Sequence, residues 1–126
     1  MSILTRARND FKETFEANNI KTYTYDQEDY KGPCVVVIPH QRYVRRRGEN
    51  TTLAASWTVG LFIVVVGTKG QKPKNVDELD TLLEKVIKLI ENSCTIIEVG
   101  GPGVTTLNDG EYFGSVIEVE YNPVTK

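Results

Sequence analysis

A chain of 126 residues has the length of one domain and excludes two ordinary domains. Its hydrophobic fraction of 40% and its charged fraction of 25% are typical of a soluble globular protein and exclude disorder over the whole length. The net charge of −2 and the sequence pI near 5.4 argue against a dedicated nucleic-acid binder, which is normally basic.

The first half of the chain predicts one helix and three strands. Apolar residues that recur every three or four positions predict a helix over residues 2–18. Runs of β-branched and aromatic residues predict strands over 20–25, 34–38 and 54–67. Residues 40–52 have no apolar period and contain four arginines, which predicts a loop or an extended arm.

The second half predicts one helix and two strands. Residues 75–93 have an apolar face and a charged face, as expected of a helix that covers a sheet. Strands are predicted over 94–99 and 112–121, with a loop over 100–110 between them. Alternation in the last strand turns four residues toward the core: Phe113, Ile117, Val119 and Tyr121.

The order of these elements, α-β-β-β-α-β-β, predicts an α+β fold. We expect a mixed or antiparallel sheet of about five strands with both helices on one face. We expect a single domain over residues 1–126, with an extended arm at about 40–52 and a short polar C-terminal tail.

Residues of the common catalytic chemistries are sparse in this sequence. His40 is the only histidine, and it lacks the spacing and the partners of a zinc site with Cys34. Residues 100–104, GGPGV, are followed neither by a Lys-Ser/Thr pair nor by a predicted helix, so a flexible loop is favoured over a phosphate-binding loop. We therefore predict no enzyme activity, no metal and no cofactor.

Compartment is indicated by the cysteines and the apolar runs. Cys34 and Cys94 adjoin apolar runs, which favours buried free thiols over a disulfide framework. The N-terminus lacks the apolar core of a signal peptide, and the longest apolar stretch, residues 59–66, is too short to span a bilayer. These features predict an intracellular protein.

Charge is concentrated in a few places along the chain. One group of four arginines occupies six positions: Arg42, Arg45, Arg46 and Arg47. Such a group can bind phosphate, can bind an acidic protein surface, or can merely increase solubility. Glu118 and Glu120 lie two apart in the last strand, where they could form an acid/base couple or a divalent-cation site, although a solvated or interface-facing strand edge is favoured. Segregated charge in a near-neutral protein is more typical of contact with another protein than with a polyanion.

The whole chain also resembles a known family through five stretches. They are an N-terminal helix that runs into IKTYTYD (residues 20–26), the strand GPCVVVIP (32–39), the arm (41–52), the strand WTVGLFIVVVG (57–67), and a helix from Asn75 before a final hairpin. This arrangement is similar to that of the tail-terminator, or tail-completion, proteins of long-tailed bacteriophages.

The resemblance implies a virion structural protein. Members of the family form hexameric rings that cap the tail tube, end its polymerisation and offer a docking face to the head completion or connector protein. DNA passes through the ring without specific binding, and no membrane is involved. The implied location is the head–tail junction of the virion tail, after assembly in the host cytoplasm.

A ring requires that one surface patch meets a different patch on the next copy. We expect the arm arginines to contact the face of Glu118 and Glu120, or the acidic linker at residues 26–29, on a neighbouring copy. The alternatives are another head–tail connector or neck protein and, less favoured, a small ligand-binding module.

Overall fold

The computed structural model describes residues 3–24, 33–46, 57–67, 73–107 and 110–122. The elements along this part of the chain are α1 (Ile3–Glu16), β1 (Thr22–Tyr23), β2 (Cys34–Arg46), β3 (Trp57–Val66), α2 (Pro73–Ile90), β4 (Thr95–Val99), β5 (Gly103–Leu107) and β6 (Gly110–Tyr121). Within the described residues, two helices and a six-stranded mixed sheet form an α+β fold, so the predicted fold class is confirmed.

The strand order of the sheet is β1-β2-β3-β6-β4, and β5 also pairs with β6. β1 is parallel to β2, and every other pair of neighbouring strands is antiparallel. Gly114 of β6 lies between Val66 of β3 and Gly103 of β5, so β5 lies on the side of β6 away from β3. β4 pairs with the later part of β6 on that same side. β3 and β6 are therefore the central strands.

Both helices pack on one face of the sheet, as predicted. α1 buries Ala7, Phe11 and Phe15, whose spacing of four places them on one side of the helix. Asn19 follows α1 with a φ of 63°, a left-handed conformation that asparagine tolerates and that ends the helix. α2 buries three residues in this core, Leu79, Val86 and Ile90, and packs five more against it: Val76, Leu82, Leu83, Ile87 and Leu89.

Strands β2, β3 and β6 provide the other half of this core. The buried sheet residues under the helices are Val35, Val37, Val59, Leu61, Ile63, Val65, Phe113, Ile117, Val119 and Tyr121. The alternation predicted for the last strand is therefore confirmed. The opposite face has a second apolar cluster, formed by Cys34, Val36, Val64, Val66, Leu107 and Tyr112. Burial on both faces explains the unbroken apolar run of β3.

Residues 40–46 are the second half of a strand, so their prediction as a loop or extended arm is wrong. Pro39 predicts the end of a strand, because proline cannot donate a ladder hydrogen bond. In the structure the register of β2 against β3 shifts between Pro39 and Val44, and regular pairing resumes from Val44 to Arg46. A bulge absorbs the proline and the strand continues. Residues 47–52 of the predicted arm lie outside the described residues.

Two further boundaries differ from the predictions. The predicted loop over residues 100–110 contains strand β5, which forms a hairpin with the start of β6. The glycines on both sides of this segment indicated a loop, although the residues between them include β-forming types. The described part of the sheet therefore has six strands, where about five were predicted. α2 begins at Pro73, two residues before the predicted start, since proline fits the first turn of a helix.

Candidate functional site

The arginines of the predicted arm lie on the second half of β2. Arg42 falls in the bulge and is exposed. Arg45 and Arg46 pair with Thr58 and Trp57 of β3 in the backbone register. The fourth arginine, position 47, and the acidic linker at residues 26–29 lie outside the described residues. The described arginines therefore belong to the half of β2 that β1 does not pair with.

The bulge of β2 is attached to the helix layer through Tyr43. The Arg8 guanidinium of α1 donates a hydrogen bond to the Tyr43 hydroxyl, and this hydroxyl lies 3.5 Å from the Leu4 carbonyl oxygen, to which it donates. The Tyr43 ring also packs against the core under the helices. This half of β2 is therefore fixed to α1.

His40 fixes the same segment on the other face of the sheet. Its Nε2 lies 3.5 Å from Glu118 Oε1, and its ring lies 4.4 Å from the ring of Phe62, centroid to centroid. Its Nδ1 accepts a hydrogen bond of 2.8 Å from the Arg42 backbone N–H. The only histidine of the chain thus connects β2 to β6 across β3. The sequence excluded a metal site at this histidine but did not predict this structural role.

Glu118 and Glu120 share a face of β6, but they do not lie at a strand edge as predicted, and their role in an interface stays a prediction. β6 is a central strand, with Phe62 and Glu98 opposite Glu118 in the two neighbouring strands. Glu120 lies opposite a glycine of β3 and opposite Thr95 of β4, and it is only 8% exposed. Neither carboxylate is fully exposed to solvent, so the two do not form an open acidic surface. Glu98, which sequence reasoning did not single out, is the exposed acidic residue of this row.

A polar cleft lies beside Glu120. It has a volume of about 520 Å³ and is lined by side chains from β3, β4, β6 and the turn after α2, among them Thr58, Ser93, Thr95 and Asn122. A carboxylate near the C-terminal end of a helix favours a positive group over a negative one. The cleft therefore suits a cation better than an anion.

The two cysteines are free thiols, and Cys34 is fully buried while Cys94 is half-buried. Burial raises the pKa of each thiol to about 11, so the reactive thiolate is scarce near neutral pH. Among the residues that the structure describes, no three His, Cys, Asp or Glu side chains form a group that could hold a metal ion. Neither described helix is both long and apolar enough to cross a membrane.

The glycine-rich turn between β4 and β5 extends the pairing of the sheet. The Gly100 N–H donates a hydrogen bond of 2.8 Å to the carbonyl oxygen of Val116 in β6. One of the amides that a phosphate loop would offer is therefore engaged within the sheet.

Exposed apolar side chains were missed by sequence reasoning. The large hydrophobic residues exposed in the described part of the chain are Val44, Ile97, Val99 and Val104. Three of them lie on the outer strands β4 and β5, and Val44 lies on the half of β2 that β1 does not pair with. Their sequence signal is weak, because each belongs to a run that reads as an ordinary strand.

The chain was also compared with known proteins. No protein-family model matches the sequence, and no curated protein matches it.

Proposed function

We propose that the chain is a structural component of a phage tail, which forms a ring on the end of the tail tube, ends its polymerisation and offers a docking face to the head. The order of its elements supports this proposal through the resemblance described above. It is an assembly role, and we assign no catalytic step to any residue.

The observation that carries the proposal is the fixed basic half of β2. Tyr43 attaches this segment to α1, and His40 attaches it to β6. Arginines on a strand that is already ordered lose less conformational entropy on contact than arginines on a free loop. The exposed Arg42 is therefore presented in a defined position to a neighbouring protein surface.

Glu118 and Glu120, which the sequence predicted as acidic partners of these arginines, are poorly placed for this contact. Glu120 is buried in its own chain, and Glu118 lies beside His40 of its own chain. A neighbouring copy would have to displace these contacts and desolvate the carboxylates. We therefore propose that the arginines form the ring contacts, and that their partners are more exposed acidic residues of the neighbouring copy.

The test is tube assembly in the presence of this chain. The tail-tube protein encoded in the same genome would be polymerised with and without the purified chain, and tube lengths and ends would be measured by electron microscopy. We expect shorter tubes with a ring-shaped cap at one end. Changing Arg45, Arg46 and Arg47 together to glutamate should remove both effects while the circular dichroism spectrum stays that of the folded chain.

A matched control is Lys74→Glu, which reverses an exposed charge in the first turn of α2, where a carboxylate is tolerated. This variant should cap tubes like the wild type. Unchanged tube lengths with the wild-type chain would overturn the proposal. Binding to the head connector without capping of tubes would favour the neck-protein alternative instead.

A further inference from the structure

The bulge of β2 is closed by a hydrogen bond within the strand itself. Pairing with β3 stops at Pro39 and resumes at Val44, and the β3 partners of these two residues are separated by Gly60 alone. The Arg42 backbone N–H inside this bulge donates a hydrogen bond of 2.8 Å to His40 Nδ1. A side chain that binds a backbone N–H two residues later stabilises a tight turn. The imidazole therefore holds the bulge in its shape.

This hydrogen bond identifies which ring nitrogen of His40 carries the proton. A backbone N–H is always a donor, so Nδ1 is the unprotonated nitrogen of a neutral imidazole and the proton is on Nε2. Nε2 lies 3.5 Å from Glu118 Oε1, and the ring lies against the ring of Phe62. The imidazole thus turns its lone pair toward its own strand and its N–H toward β6.

A second proton on His40 changes its two polar contacts in opposite directions. The proton adds at Nδ1, where two N–H donors then face each other and the hydrogen bond from Arg42 is lost. The same proton converts the contact between Nε2 and Glu118 from that of a neutral imidazole into an ion pair. Histidine is the side chain whose charge changes between about pH 5 and pH 8. The two contacts are therefore coupled to the pH of the solution.

The described groups around His40 come from three strands besides its own. Glu118 of β6 is the nearest carboxylate, and Glu98 of β4 lies opposite it in the register. Carboxylates that face each other on neighbouring strands repel, and a positive ring beside one of them offsets this repulsion. β3 contributes the uncharged Phe62, and the charged neighbour on β2 itself is Arg42, whose side chain is exposed. A protonated ring thus keeps a partner on β6 after it has lost its partner on β2.

We propose that His40 is a pH-sensitive switch in the bulge of β2. At neutral and alkaline pH the imidazole accepts the Arg42 N–H and the bulge is closed. In mildly acidic solution the imidazolium releases this N–H, stays beside Glu118, and leaves the backbone that presents Arg42 less restrained. The attachment of Tyr43 to α1 lies on the other face of the sheet and uses no histidine, so the change is confined to the bulge.

The first experiment is an NMR titration of the isotope-labelled chain from about pH 8 to about pH 5. We expect the Nδ1 resonance of His40 to change from that of an unprotonated nitrogen to that of a protonated one, and the Arg42 amide resonance to move with the same midpoint. Protection of this amide against exchange with water, corrected for the intrinsic effect of pH, should fall about fivefold. Contacts between the rings of His40 and Phe62 should persist, and the amide of Val64 in the centre of the sheet should not respond.

Two variants separate the hydrogen bond from the titration. His40→Asn keeps a side-chain oxygen that can accept the N–H two residues later, but it cannot gain a proton in this range. Its Arg42 amide should be protected at both ends of the titration. His40→Ala removes the acceptor, so the same amide should be unprotected throughout. Gln41→Ala, at an exposed neighbouring position in the same bulge, is the matched control and should titrate like the wild type.

A proton on Nδ1 at the alkaline end of the titration would overturn the proposal, as would an Arg42 amide that does not respond while His40 titrates. The wild-type transition reproduced in His40→Asn would also overturn it, because another group would then be responsible. The switch stands on these contacts and not on the proposed function. A chain that shows the transition but leaves tail tubes uncapped would overturn the function alone, and a chain that caps tubes without the transition would overturn the switch alone.

Discussion

The centre of the sheet and its margins are built on different principles. β3 and β6 at the centre are flanked on both sides by other strands, and their apolar residues are buried in two clusters, one on each face. The later half of β2, with which β1 does not pair, and the outer strand β4 expose valine and isoleucine beside charged residues. The same β-forming residue types therefore stabilise the fold when they are buried at the centre of the sheet and stay exposed to solvent away from it.

An isoleucine-to-alanine substitution in each region should give the largest difference in the free energy of unfolding. Ile63→Ala removes a fully buried side chain from β3 and should lower the free energy of unfolding by about 2–5 kcal/mol through lost burial and a cavity. Ile97→Ala, on the exposed margin of β4, should change it by less than about 0.5 kcal/mol. Urea unfolding followed by circular dichroism, at a concentration where the chain is monomeric, measures both. Equal losses would contradict the distinction between centre and margin.

Two glycines that face each other across strands provide a second comparison. A Cβ on Gly114 of β6 would lie 2.5 Å from the Val65 carbonyl oxygen, so Gly114→Ala should force β3 and β6 apart and cost about 1–3 kcal/mol. Its partner in the β5–β6 register, Gly103, has no atom within 4 Å of such a Cβ. Gly103→Ala should therefore leave the unfolding midpoint nearly unchanged, and a loss as large as that of Gly114→Ala would show that β5 is packed like the centre.

The smallest of the three expected losses of stability concerns Tyr121 at the end of β6. Its hydroxyl donates a hydrogen bond of 2.8 Å to Asp10 of α1, and its ring lies 4.8 Å from the ring of Phe11. Tyr121→Phe should lower the free energy of unfolding by about 0.5–1.5 kcal/mol near neutral pH.

The pH dependence of that effect follows from the pKa of Tyr121. Burial, and then the hydrogen bond to Asp10, raise the pKa of this phenol above its ordinary value of 10.0. A raised pKa in the folded state means that the stabilisation is fully present below pH 10.0 and is lost as the pH rises above it. The difference in stability between wild type and Tyr121→Phe should therefore shrink in alkaline solution. A difference that is independent of pH would show that the phenol is not stabilised in its neutral form.

Sequence patterns predicted the centre well. The helix periods, the long apolar strand β3 and the alternation of β6 depend on burial by neighbours that any sheet of this class supplies, so local residue order was sufficient. The margins were predicted poorly. Proline at position 39 and the glycines around β5 indicated the ends of strands. In the structure a bulge in β2 and a hairpin between β5 and β6 keep both segments in the sheet.

The candidate site shows the same division. Its arginines were visible as a charge cluster, but their attachment through Tyr43 to α1 joins residues far apart in the sequence. The burial of Glu120 depends on the turn after α2 and on β4, and the exposure of Glu98 depends on its strand being outermost. No local pattern distinguishes these two glutamates.

By itself the sequence determined the class of fold, the two helices, the apolar face of each and the concentration of arginines near position 42, because periodicity and composition are local properties. Only the tertiary structure decided which strands are central, which carboxylate is buried and which valines are exposed. The physical reason is that solvent exposure belongs to a position in the sheet: an identical β-branched residue is covered when strands lie on both sides and open when the sheet ends beside it.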